Sequence, residues 1–307
     1  MRRTLLITTI AALSLAACGD SDSEASTTLP DAEADTEATA GSDPDAEVLP
    51  PDTTPAPPEN PDKPEVELPA ELPTELVRTV LVEGSGDAAV AGDTVIVDYV
   101  GVRSEDGVEF DNSYDRGEPL SVTLGNGFVI QGWEDGLVGT QTGERVQLDI
   151  PSELAYGEVG SGDLIREQET LTFVIDVRNV SAATEEPSEP GVPLSTAEGV
   201  ADTETVDLVV GEGPALERGQ TALIRYVYFR GDNGVALERN WEAGPVPVPF
   251  EEGLLPGLLE GMDGMNVGGQ RAVIIPPEDG FGLEGNPQNG LPADTDMIFV
   301  IELIWAY

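Results

Sequence analysis

Five segments carry the reading: VDYVGV (97–102), EFDNSYDRG (109–117), FVIQGWEDGL (128–137), LAYG (154–157) and LTFVID (171–176). No Phe, Tyr or Trp precedes Tyr99, and seven then fall between Tyr99 and Phe173. Aromatic side chains are costly to leave wet. A cluster of them inside a Pro- and Glu-rich acidic chain marks where a packed body begins. They arrive with Val129, Ile130 and one acid–base pair, Asp111 and Arg116. That spacing suggests an apolar pocket with one or two polar groups at its rim.

The periodicities around these segments predict an α+β layout. Thr94 to Val102 is rich in β-branched residues and reads as a strand, and Asp106-Gly107 supplies a turn. Val129, Trp133 and Leu137 recur at helical spacing with Ile130 beside them, giving a short amphipathic helix ended by Gly139. Val146, Leu148 and Ile150 alternate with polar residues, and Leu171, Phe173, Ile175 and Val177 alternate likewise. Strands on both sides of one helix predict an antiparallel sheet packed on that helix. The connection from Pro151 to Glu169 is long and contains glycine, the character of a functional flap.

The body is duplicated. VLVEGSG (80–86) is echoed by LVVGEG (208–213). Gly92 then matches Gly219, Tyr99 matches Tyr226, Arg145 matches Arg271, Tyr156 matches Phe281 and Phe173 matches Phe299, at offsets of 125 to 127 residues. A period this long is that of a repeated domain rather than of a solenoid unit. The Pro- and Glu-rich stretch 181–205 reads as the joint between the copies.

The N-terminal segments read differently. Arg2 and Arg3 precede an apolar run, Leu5 to Leu15, too short to span a bilayer. The run ends in Leu15-Ala16-Ala17-Cys18, which resembles a bacterial lipobox in which Cys18 is the acylated residue. An ordinary secretory signal with an incidental cysteine is the alternative. Acyl chains on Cys18 would anchor the protein durably at the extracytoplasmic face of the cell membrane. Between Gly19 and Glu75 there are 17 acidic residues against Lys63, and no aromatic. Such a segment cannot bury enough apolar surface to offset its ordering entropy, so it reads as a disordered tether with a reach of about 40 Å or more.

Composition excludes several functions. A formal net charge of −45 would repel phosphates, which argues against nucleic acid as a partner. The chain has no histidine, so Ser–His–Asp and Cys–His catalysis and histidine-ligated metals are ruled out. No phosphate loop or dinucleotide fingerprint is present, and no cofactor is expected.

Taken together, F-D-x-S-x-x-R at Phe110 to Arg116, V-I-x-G-W-E-x-G at Val129 to Gly136 and A-Y-G at Ala155 to Gly157 resemble the FKBP family of peptidyl-prolyl cis-trans isomerases, the targets of tacrolimus and rapamycin. The resemblance is strong over 75–180 and weak over 206–307. It implies two FKBP-like domains, which would follow the signal peptide (1–18) and the acidic linker (19–74) read above. It implies proline-containing polypeptides as substrates and tacrolimus-type compounds as inhibitors. Trp133 would floor the pocket under the proline ring, with Tyr99, Phe110, Val129, Ile130 and Phe173 as walls. Tyr156 would donate to the substrate carbonyl, and Asp111 would sit at the rim held by Tyr99 and Arg116. Ile165 falls where the family places a flap residue that touches substrate. Two departures bear on substrate preference: Ile165 is followed by Arg166-Glu167-Gln168 rather than a proline pair, and Leu120 stands where many members have Phe.

The second copy reads as degenerate. Its Phe–Asp position is Leu237-Glu238, its floor is Leu258 and its flap tyrosine is Phe281. Trp241 is a candidate for refilling its pocket. The leading expectation is an isomerase assisting exported proteins to fold. The alternative is a non-catalytic chaperone that grips client chains with the same fold.

Overall fold

A computed structural model describes residues 62–195 and 199–307. The signal segment, Cys18 and the tether through residue 61 lie outside the described residues. Two six-stranded antiparallel sheets follow one another, each covered on one face by a single short helix. The α+β architecture expected from the alternating and helical periodicities is present twice.

In the first lobe, β1 (Val77–Val82), β2 (Thr94–Arg103), β3 (Glu109–Asn112), β4 (Leu120–Thr123), β5 (Arg145–Ile150) and β6 (Leu171–Ser181) form one sheet, in the order β1-β5-β6-β2-β3. β4 pairs with the first half of β2, and β3 with its second half. β2 and β6 lie at the centre, where long runs of β-branched residues are buried on both faces. The register places Gly101 opposite Phe173 and Phe173 opposite Leu148, while Tyr99 faces Ile175 and Ile175 faces Val146. These rows point to the inner face, over which α1 (Gln131–Leu137) is laid.

Helix α1 begins later than the spacing of Val129 and Trp133 predicts. Val129 and Ile130 lead into it, with Ile130 extended at φ −62° and ψ 150° and its carbonyl accepting from the amides of Trp133 and Glu134. Both residues still pack on the core, because the lead-in strand carries them along the same side of the sheet.

The second lobe repeats the plan with β7 (Glu204–Val209), β8 (Thr221–Arg230), β9 (Ala236–Arg239), β10 (Val246–Pro249), α2 (Pro256–Gly261), β11 (Gln270–Ile275) and β12 (Met297–Ala306). The lobes meet through the outer faces of their sheets. Ile96, Leu223 and Ile304 form a small shared core there. Beside it, buried Arg225 pairs with Glu302 at 3.5 Å and donates to Thr94 Oγ1 of the first lobe at 2.5 Å. Asn179 donates to the carbonyl of Ile304 at 3.3 Å, and Thr184, in the joint, donates to Glu302 at 2.9 Å.

The first lobe also reaches further toward the N-terminus than composition suggests. Residues 62–68 run along the outer face of its sheet, with Val66 packed beside Val100, Val102 and Tyr114. Lys63, the chain's single lysine, bridges Glu109 and Asp115 at 2.9 Å each.

Helix and sheet approach closely in both lobes, which only glycine permits. A Cβ on Gly132 would lie 2.3 Å from Ile150 Cγ2, and one on Gly257 equally near Ile275 Cγ2. Overpacking of about 3 kcal/mol outweighs a helix-propensity gain of about 1 kcal/mol, so Gly132→Ala should cost about 2 kcal/mol. Thermal unfolding of that variant checks this, with a midpoint lowered by about 4–8 °C.

Candidate active site

Four aromatic rings converge on the inner face of the first lobe. Trp133, 3% exposed, stands edge-on to Tyr99 (centroids 5.1 Å, 90°) and to Phe173 (5.3 Å, 89°). Phe110 meets Phe173 edge-on at 5.6 Å, and Tyr99 meets it at 6.4 Å. Each ring comes from a different element, namely α1, β2, β6 and β3. Such edge-to-face contacts add about 0.5–1.5 kcal/mol each beyond area burial and hold the rings at fixed angles. Leu120, Val129 and Ile130 are half-buried against the same cluster, and Ile165 of the flap is buried in it. Gly101 makes the arrangement possible: a Cβ there would sit 2.7 Å from Phe173 and 2.8 Å from Phe110.

The polar rim is a closed network. The Tyr99 hydroxyl donates to Asp111 Oδ2, Arg116 forms an ion pair with Asp111 Oδ1, and Arg116 Nη2 donates to the Tyr99 oxygen at 2.9 Å. The guanidinium also lies 5.6 Å from the Tyr99 ring centre. Burial first, and the hydrogen bond to Asp111 second, push the Tyr99 phenol up to about 12. Tyr156, 40% exposed at the start of the flap, is raised by burial and then by the charge on Asp111, which puts its hydroxyl in the field of the same carboxylate.

Ser113 and Glu134, both within the motifs, and Arg166, after Ile165, position these groups. Ser113 locks the rim loop onto Tyr99: its Oγ accepts from the Tyr99 amide at 2.9 Å and its own amide donates to the Tyr99 carbonyl. Glu134, buried beside Trp133, accepts from the amides of Gly125 (2.6 Å) and Gly127 (2.8 Å), fixing the loop that leads to Val129. Arg166 stands where the family has proline and pins the flap through Glu169 (2.5 Å) and Glu105 (3.1 Å). These pairs tie the flap to Glu105 and Asp106 in the turn after β2.

A separate cavity of about 410 Å³ lies on the other face of the sheet, lined by Pro64, Val66, Leu68, Val100, Val102 and Glu109 among others. It shares no residue with the aromatic cup. Among the described residues no group of three or more carboxylate or thiol ligands is placed to hold a metal ion.

A domain family described as FKBP-type peptidyl-prolyl cis-trans isomerase matches residues 86–178 and 213–304. The chain belongs to that family. It is 48% identical over 118 residues to an FK506-binding protein of Streptomyces anulatus, covering 38% of this chain and 95% of that protein. It is 32% identical over 220 residues to the peptidyl-prolyl cis-trans isomerase FKBP10 of Bos taurus, covering 70% of this chain and 34% of that protein. The crystal structure of FkpA from Escherichia coli is 44% identical, covering 36% of this chain and 49% of that one, with a TM-score of 0.33. The chain is an FKBP-type peptidyl-prolyl cis-trans isomerase.

In the second FKBP lobe, Tyr226 donates to Glu238 at 2.7 Å, as Tyr99 does to Asp111, and Asn240 takes the part of Ser113 on the Tyr226 backbone. Leu258 and Leu259 replace Trp133 and Glu134. Trp241 does not refill this pocket. It packs with Val227, Phe229 and Val300 on the outer face and donates to the Thr184 carbonyl at 3.1 Å. Following Asn240 at the end of the rim loop, it is directed to the side of the sheet opposite Tyr226.

The raised Tyr99 phenol carries a pH signature. The folded lobe favours the neutral form, so this contribution to stability is whole below about pH 10 and lost as pH rises to about 12. Thermal midpoints across that interval should fall less steeply in Tyr99→Phe than in the native chain.

Proposed function

We propose that the first lobe catalyses cis–trans exchange of X–Pro bonds in exported client chains from an anchorage at Cys18 on the extracytoplasmic face of the membrane, and that the second lobe does not catalyse. The observation carrying the catalytic part is the dry ring cluster of Trp133, Tyr99, Phe173 and Phe110, bordered by a neutralised carboxylate. Amide resonance sets a barrier of about 18–20 kcal/mol to rotation about the X–Pro bond. Water stabilises the charge-separated planar form. A cup that replaces water with ring faces disfavours that ground state relative to the twisted, less polar transition state. Lowering the barrier by about 4 kcal/mol speeds exchange about a thousandfold. No nucleophile or titrating base takes part.

In this reading Trp133 underlies the proline ring, Tyr99, Phe110, Val129, Ile130 and Phe173 wall it, and Leu120 and Ile165 close the sides. Tyr156 donates to the carbonyl before proline. Arg116 pairs with Asp111, so a carboxylate borders an apolar cup without leaving a bare charge. Phe128, next to Val129 in sequence, and Val159, in the 151–169 connection, are strongly exposed at 75% and 87% and favour an additional chaperone grip on apolar segments of the client. Tacrolimus-type compounds would compete for the same cup.

The membrane part rests on the run Leu15-Ala16-Ala17-Cys18. A Cys18→Ser variant expressed in a bacterium should move from the membrane pellet to the soluble exported fraction; continued pelleting rejects the anchor.

A proline-peptide exchange assay tests the catalytic part. Tyr156→Phe removes one neutral hydrogen bond worth about 0.5–1.5 kcal/mol, so kcat/KM should fall about 2- to 13-fold. Trp133→Leu should lower it tenfold or more, while Leu258 variants in the second lobe leave it unchanged.

A further inference from the structure

Tyr228 occupies the position in the second lobe that Gly101 occupies in the first. Gly101 pairs with Phe173 across the sheet and with Asp111 on its other side; Tyr228 pairs with Phe299 and with Glu238 in the same register. Both positions face the inner side, two residues beyond Tyr99 and Tyr226. In the first lobe this point is so crowded by aromatic walls that a single Cβ would strike Phe173 and Phe110. In the second, a whole phenol ring is accommodated. It lies flat on Phe299 with centroids 4.8 Å apart and planes 5° from parallel, and it is 2% exposed. The room comes from the replacements around it: Leu237 for Phe110 and Leu258 for Trp133, both smaller and both packed in the same core.

The hydroxyl of this ring is out of place. It is buried without a hydrogen-bond partner among the described residues, although Glu238 is engaged nearby by Tyr226. A buried unpaired hydroxyl is a net cost to the fold. A residue chosen only to fill an apolar core would be phenylalanine. The ring fills a pocket whose other walls, Tyr226, Phe299 and the Glu238 rim, remain those of the first lobe.

We propose that the second lobe holds a latent binding site for an X–Pro segment of polypeptide, closed by the ring of Tyr228, which takes the space a prolyl ring would enter. In this reading the ring of Tyr228 closes a cup that Tyr226, Phe299, Leu237 and Leu258 still line. This rests on reading the first cup as the prolyl site.

The experiment uses the full chain and the peptide succinyl-Ala-Leu-Pro-Phe-amide, followed by residue-resolved amide shifts in NMR. In the native chain the peptide should shift amides around Trp133 and Tyr156 and leave those of Tyr226, Leu258 and Phe299 unmoved. In Tyr228→Ala, and in Tyr228→Gly, the second set should also shift and saturate. Folded Tyr228→Ala without second-lobe shifts overturns the proposal, and so do equal second-lobe shifts in the native chain. Tyr228→Phe keeps the ring and removes only the hydroxyl, so it must remain closed; peptide binding there as strong as in Tyr228→Ala also overturns it. Loss of the unpaired hydroxyl in Tyr228→Phe should raise the thermal midpoint by about 2 °C, and a lowered midpoint counts against the plug. If first-lobe amides fail to respond in every variant, it is the reading of the first cup that falls, and the second-lobe amides still report on Tyr228.

Discussion

Close contact between α1 and β5 is the constraint from which the rest of the first lobe follows. Gly132 and Gly136 turn bare backbone toward Ile150 and Leu148, so the helix sinks onto the sheet further than any side chain there would allow. Trp133, between them, is thereby set deep enough for its indole to meet Tyr99 and Phe173 edge-on. Were the helix lifted by the thickness of a methyl group, the indole would leave those two rings and the floor would open. The same contact recurs through Gly257 and Gly261 in the second lobe, where Leu258 stands at the position of Trp133. Framework and chemistry are therefore separable: the glycines set the depth, and the residue they carry sets what the cup can hold.

Electrostatics impose a second demand. A chain with 59 acidic residues against 14 basic ones has few cations to spend, yet Arg116 is placed on the carboxylate at the mouth of the cup and on the Tyr99 hydroxyl. An uncompensated charge beside four aromatic rings would draw water into them. Among the described residues no arginine pairs with the rim carboxylate of the second lobe, where Tyr226 donates to Glu238. Arg166 and Lys63 are used in the same manner at the flap and at the N-terminal strap, serving three and two acidic partners respectively. Scarce cations are stationed where segments outside the strands are tied to the sheet.

The two lobes are joined by more than their linking segment. Arg225 and Glu302 sit in the seam almost without solvent, and burial raises the Glu302 carboxyl despite Thr184 and Arg225. Removing one member of such a pair leaves the other buried and unmatched. The seam lies on the outer faces, so the inner face of each lobe, with its rings, is left facing away from the partner.

Much of this was legible in the residues themselves. Alternation in β2, β5 and β6 and helical spacing about Trp133 are local properties, and the duplication is visible in aligned glycines and aromatics; all of these survive into the structure because burial acts on every second or every third to fourth residue. Motif spacing likewise brought Phe110, Asp111, Arg116 and Trp133 forward as a set. What the chain could not disclose in one dimension was the side of a sheet on which a ring ends, or how much room it finds. Trp241 reads as a pocket residue and packs on the outer face, while Tyr228 attracts no notice in sequence and fills the inner one. Gly101 and Tyr228 acquire meaning only when cross-strand register sets them beside Phe173 and Phe299. Volume is a property of neighbours distant in sequence, and tertiary structure alone determines it.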